Sequence, residues 1–305
     1  MIYWERLQEG SPFVSAPIDG VSDAARPVGR SLLWIGILLF VCYAPILYRL
    51  VLNWASDEDM GHAFFVPFVA GYIVWQRRHL LASLRLSPNI WGLVLVIFAA
   101  FQALAATLGA ELFTARLAFL FALTGIVLYL GGKAWVKALG FPLLLLLFMI
   151  PIPQIIYARI TLGLQFIASE LAEGLITLVG IPVIRTGNIL ELPHQTLNVV
   201  EACSGIRSLI SLAFLSLVYA YFADKRIWMR WVLLVATVPI AIGANAIRVA
   251  ITGVLTQVNT SFAQGIYHEV EGYLVFIVAL LSLFLVHRLV SYVARGSAPK
   301  QGGAN

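Results

Sequence analysis

The sequence predicts an all-α fold, a polytopic bundle of about eight membrane-spanning helices, and three observations predict it. Of the 305 residues, 61% are hydrophobic and only 11% are charged, whereas soluble chains carry about a quarter charged residues. The apolar residues fall in blocks of about 15 to 25, the length a helix needs to cross about 30 Å of hydrocarbon. Basic and acidic residues alternate in the gaps between the blocks, as they do in a chain that crosses a membrane back and forth. The net charge of +5 therefore belongs to orientation signals and does not point to nucleic acid as a partner. Cys42 and Cys203 are the only two cysteines, one inside an apolar block and one in a gap, so they build no disulfide framework.

Residues 1–30 mix polar side chains with Pro12, Pro17 and Pro27 and read as a disordered cytoplasmic leader. One membrane domain follows over 31–290, and 291–305 reads as a disordered cytoplasmic tail. The expected spans are 31–52, 62–76, 91–109, 113–132, 138–151, 206–222, 229–254 and 272–290. Arg26 and Arg30 precede the first span, and Asp57, Glu58 and Asp59 follow it. Arg77, Arg78 and Arg85 follow the second, Glu111 the third, and Lys133 with Lys137 the fourth. Assigning the basic gaps to the cytoplasm puts both termini there and brings the chain to the outer face near Pro151 and Pro153.

The segment 154–179 is long enough to cross, but a crossing there would turn Lys225, Arg226, Arg230 and Arg288 outward. Its Thr161, Gln165, Ser169, Glu173 and Thr177 recur at i, i+4. That stripe predicts an amphipathic helix lying at the interface or lining a cavity, and the segment is taken as non-spanning. Residues 181–200 alternate apolar and polar around Gly187-Asn188, which predicts a small hairpin outside the bilayer.

Three residues at the outer face carry the candidate chemistry. Cys203 stands in Glu201-Ala202-Cys203-Ser204-Gly205-Ile206-Arg207-Ser208, at or just before a helix start. Free N–H groups and the helix dipole there favour a thiolate. Arg207, at i+4 on the same face, adds positive charge, and Glu201 flanks the thiol. Cys42 has no such neighbours and reads as structural. Arg248 lies inside an apolar span with Asn245 at i−3. An embedded arginine is costly and marks a functional site by default, the bland alternative being a side chain that snorkels to the interface. His268, in Tyr267-His268-Glu269-Val270-Glu271-Gly272, precedes the last span on the same face. Cysteine, histidine and a cation together supply a nucleophile, a proton shuttle and an oxyanion stabiliser for acyl transfer. No strong metal-ligand spacing and no cofactor fingerprint is present, so neither a metal nor a cofactor is expected.

The blocks Glu201–Ser208, Asn245–Arg248 and His268, taken in that order, resemble the exosortase/archaeosortase group of polytopic membrane transpeptidases. The stretch from Asp57 through His62, Phe65-Val66-Pro67 and Trp75–Arg78 is also similar to that group's second span. The resemblance implies Cys203 as nucleophile, His268 as general acid/base and Arg248 as stabiliser, with Glu201, Arg207 and Asn245 in support. It implies a membrane cysteine protease that cleaves exported proteins at a C-terminal Pro-Glu-Pro-like motif followed by a transmembrane helix and a basic tail, and passes them to an acceptor. Its expected setting is the bacterial inner membrane with the site facing the periplasm, linked to exopolysaccharide assembly, with membrane lipid as its other partner. The competing reading is a non-catalytic transporter or exopolysaccharide assembly subunit that uses Arg248 to hold an anion; it leaves Cys203 without a task.

Overall fold

The computed structural model describes residues 22–199, 205–258 and 266–296, with side chains over 34–199, 206–257 and 270–294. Contacts divide the chain into Met1–Pro45 and Ile46–Asn305. In the first unit the described residues form the leading part of helix α1 (Ser22–Ser56), which starts within the stretch read as a leader. Trp34, Leu38, Phe40 and Val41 are exposed along it, as suits a helix facing lipid, and Cys42 is exposed and free of any disulfide.

In the second unit the chain passes through a 3-10 helix (Glu58–Phe64), α2 (Phe65–Gln76), α3 (Arg78–Ser83), α4 (Ile90–Leu108), α5 (Leu112–Gly131), α6 (Lys133–Leu145), a 3-10 turn (Leu146–Met149) and α7 (Gln154–Leu178). Three short strands follow, β1 (Ile184–Thr186), β2 (Ile189–Glu191) and β3 (Thr196–Asn198), and then α8 (Gly205–Ala223), α9 (Ile227–Val258) and α10 (Ile266–Gly296). Seven described helices are long and apolar enough to cross a membrane, and the protein is an all-α multi-pass membrane protein.

Two expected spans, 62–76 and 138–151, are not single long helices. The Asp57 carboxylate accepts from the Asp59 N–H and starts a 3-10 helix, leaving α2 only 12 residues. Pro142, which has no N–H to donate, sits inside α6. The helix tightens into the 3-10 turn and ends before Pro151 and Pro153.

Helices α4 and α5 form a close antiparallel pair through small residues, Gly92, Ala99 and Ala106 against Ala115, Ala118, Ala122 and Gly125. A Cβ on Gly92 would stand 2.2 Å from the Tyr129 nitrogen, so the two backbones meet where no side chain fits. Asn89 and Glu111 cap the two N-termini with their side-chain oxygens.

Hydrogen bonds fix which ends of the helices lie together. Arg77, just after α2, donates to the Tyr221 hydroxyl of α8 at 2.8 Å and to the Ala138 carbonyl of α6. The other end of α2 meets the 3-10 turn, with His62 Nε2 3.2 Å from the Phe148 carbonyl oxygen. At that same end Tyr157 of α7 donates to Asp59, and Arg207 of α8 donates to Asp59 at 2.7 Å. Among the described residues between Phe148 and α8, these hydrogen bonds lie at the Asp59 end. Length and composition alone qualify α7 as a span, but its start lies beside Asp59 and its finish beneath the strands. Its polar stripe is divided: Gln165 and Ser169 are buried against the protein, whereas Thr177 is exposed.

The expected hairpin is a three-stranded antiparallel sheet in the order β1-β2-β3, with Arg185 opposite Leu190 and Leu190 opposite Leu197. Gly187 turns β1 into β2 at φ 68°, a conformation open to glycine. Leu190 and Leu197 point into one cluster with Ala172 and Ile176 of α7 and Val249 and Ala250 of α9. Arg185 pairs with Glu173 at 2.7 Å. The sheet is thereby seated over the ends of α7 and α9. Helices α8, α9 and α10 pack on one another through Leu212, Ala241 and Ala279 nearer the sheet, and through Ala220, Met229, Leu233 and Leu283 toward the Arg77 end.

Candidate functional site

The first turn of α8, the sheet-side half of α9 and the first turns of α10 converge on one cleft. Its polar lining is Ser208 of α8 and Asn245 and Arg248 of α9, with Gly272 and Phe276 of α10 closing it. Asn245 and Arg248 are both buried, and their i, i+3 spacing on one helix puts them on a shared face. Gly272 gives Arg248 its space. A Cβ there would lie 3.4 Å from the guanidinium carbon and from one terminal nitrogen, so the cation lies against bare helix backbone.

A carboxylate shares the site. The Thr252 hydroxyl lies 2.9 and 2.8 Å from the two Glu271 carboxylate oxygens and 3.0 Å from the Arg248 carbonyl oxygen. Glu271 lies within electrostatic reach of Arg248. Thr252 thus ties the start of α10 to the turn of α9 that carries the cation.

Arg207 faces a different set of groups. Its guanidinium donates to Asp59 at 2.7 Å and to Glu58 at 3.0 Å, and Asp59 also accepts from Tyr157. Its charge is therefore balanced by two carboxylates. This cluster fastens α8, the 3-10 helix and α7 to one another just below residue 205. Of the six residues the sequence singled out, Asn245 and Arg248 meet in the cleft and Arg207 stands beside it in the acidic cluster. Cys203 and Glu201 lie outside the described residues, two and four positions before the first residue of α8. His268 belongs to the first turn of α10, one turn ahead of Gly272, and only its backbone is described.

Ser208, Glu271, Gly272 and Asp59 are additions of the structure. Glu271 left a signal: it follows His268 at i+3 and opens an apolar helix, where an unpaired carboxylate is costly. Asp59 was legible only as an orientation charge, because nothing local to it reveals Arg207, which lies 148 positions away. Ser208 and Gly272 carried no signal of their own.

No curated protein and no solved structure matches this chain. The sequence profile of the transmembrane exosortases matches residues 54–285. That stretch runs from the end of α1 into α10 and takes in the acidic cluster, the sheet and every residue named in the cleft. On that match the chain belongs to the transmembrane exosortase family.

Proposed function

We propose that this exosortase is a cysteine transpeptidase of the bacterial inner membrane, with both termini cytoplasmic and its site at the periplasmic face. Its substrates are exported proteins that end in a Pro-Glu-Pro-like motif, one transmembrane helix and a basic tail. The observation that supports this reading is the convergence of three separate sequence blocks on one cleft. The turn after Cys203 brings Ser208, the Asn245-to-Arg248 turn brings the cation, and the helix that begins around His268 brings Gly272.

In the first step the Cys203 thiolate attacks the scissile carbonyl carbon, and the carbonyl oxygen takes the negative charge of a tetrahedral intermediate. Arg248 meets that charge with its planar N–H donors in a site shielded from water. The C–N bond then breaks, His268 hands its proton to the departing amine, and a thioester to Cys203 remains. An acceptor nucleophile loses its proton to His268, attacks the thioester and releases the thiolate. The departing product is the membrane helix with its basic tail. Holding the peptide at fixed depth by that helix supplies much of the effective concentration at the thiol, and the tail sets its direction. Exopolysaccharide and cell-surface assembly is the setting this activity serves.

Alkylation tests the reading. Purified protein in vesicles, with Cys42→Ala as background, is treated with a membrane-impermeant maleimide and given an anchored precursor. Loss of processing in step with modification of Cys203 is the expected result. Full processing by the alkylated protein would favour a non-catalytic role.

A further inference from the structure

At the end of the bundle opposite Arg248, two arginines converge on one aromatic ring. Arg77 donates its Nε hydrogen to the Tyr221 hydroxyl at 2.8 Å and a further N–H to the Ala138 carbonyl. Its guanidinium carbon lies 5.2 Å from the centroid of the Tyr221 ring. Arg230, in the first turn of α9, places its own guanidinium 4.8 Å from the same ring and 5.0 Å from that of Phe141. Phe141 and Tyr221 stack at 4.5 Å with their planes 8° apart, so the aromatic wall is one continuous slab.

Among the described residues neither cation forms an ion pair. The nearby carboxylate, Asp224, is occupied: Arg226 holds it at 2.7 Å, and His287 lies 3.4 Å away. The Arg230 Nε is buried and has no hydrogen-bond partner among the described residues. Two like charges gathered on one slab repel each other, and their spare N–H donors have no acceptor among the described residues. The first turn of α9 adds the positive end of a helix dipole. Trp75, with the Arg78 guanidinium 4.3 Å from its ring, and exposed Trp228 and Trp231 place this slab at the level of an aromatic belt, where bilayer headgroups lie.

We infer that Arg77 and Arg230 form a binding site for a phosphate group, whose occupant is the headgroup phosphodiester of an anionic membrane lipid. The planar guanidinium forks match phosphate oxygens, and the apolar edge of the Phe141–Tyr221 slab suits the first carbons of the glycerol and acyl chains. The site is independent of the proposed chemistry at the far end, and its test reads no catalysis.

Native mass spectrometry of the whole protein, released from phosphatidylcholine bilayers with and without phosphatidylglycerol, counts the retained lipid. Arg230→Met keeps the stem over Phe141 and Tyr221 but removes the charge. It should retain about tenfold less phosphatidylglycerol, the factor one charge-assisted contact is worth. Adding Arg77→Gln should abolish preferential retention, whereas Arg226→Gln, whose cation is already paired, should leave it at the wild-type level. Inorganic phosphate at the same concentration should not displace the lipid; displacement would show a soluble phosphate to be the occupant and overturn the headgroup assignment. Wild-type retention by folded Arg230→Met would overturn the site itself, and that single variant decides the matter even where the double variant does not fold.

Discussion

Gly272 stands where a Cβ would come within 3.4 Å of the Arg248 guanidinium, so the start of α10 fixes the space left to the buried cation. This is a relationship between two helices, and it makes the glycine a specific point of sensitivity. Gly272→Ala places a methyl in ordinary van der Waals contact with the Arg248 guanidinium and should be tolerated. Gly272→Val must push the guanidinium aside. It should lower precursor processing by about 10²-fold, the scale for losing an oxyanion donor, with helix content and membrane insertion unchanged. Equal activity in Gly272→Val would remove Arg248 from the chemistry.

Glu271 and Thr252 hold α10 against the Arg248 turn at 2.8 to 2.9 Å. Glu271→Gln keeps the shape and removes the charge facing Arg248. Processing should fall by about tenfold or more, the usual cost of losing an outer partner that orients a functional group. Thr252→Val should fall in the same direction by less. A Glu271→Gln protein with full activity would reduce the carboxylate to packing.

Asp59 and Glu58 both meet Arg207, but unequally. Asp59 also accepts from Tyr157 and its side chain is 24% exposed, against 83% for Glu58. Asp59→Asn should therefore destabilise the junction of α7, α8 and the 3-10 helix by about 1 kcal/mol and reduce processing. Glu58→Gln should change neither. Thermal melts in detergent, run beside processing assays, separate the two variants.

The α4–α5 pair is a test of the fold alone. At Gly92 an added methyl would stand 2.2 Å from backbone nitrogen and 2.5 Å from Cα of Tyr129, atoms that move only if the helices part. Gly92→Ala should cost about 3 kcal/mol, the upper range for overpacking, seen as low yield and early melting. Gly71→Ala, where nothing lies within 4 Å, should be neutral.

Much of the fold was readable because a membrane imposes simple rules. Long apolar blocks gave the helices, and the alternation of Arg77 and Lys133 with Asp59 and Glu111 gave the two ends that the hydrogen bonds of Arg77, Tyr157 and Arg207 bring together. The breaks at Glu58–Phe64 and Leu146–Met149 were hidden, because an apolar run does not show where its backbone tightens. Arg248 and Asn245 were legible since a polar group inside a span is expensive. Arg207 was legible as a cation, but its Asp59 partner was not, because that pair depends on tertiary packing of α8 against a distant loop. Gly272 could not be singled out among 24 glycines until the helix facing it was known.

The central claim is that Cys203 is the nucleophile, and one measurement addresses it most directly. The protein is expressed beside an exported precursor that ends in a Pro-Glu-Pro-like motif, a transmembrane helix and a basic tail. The fraction of precursor cleaved is then compared for wild type, Cys203→Ala and Cys42→Ala at matched membrane levels. The expected outcome is complete loss of cleavage with Cys203→Ala, uncleaved precursor accumulating in the membrane, and normal cleavage with Cys42→Ala. Wild-type cleavage by Cys203→Ala would contradict a cysteine transpeptidase outright.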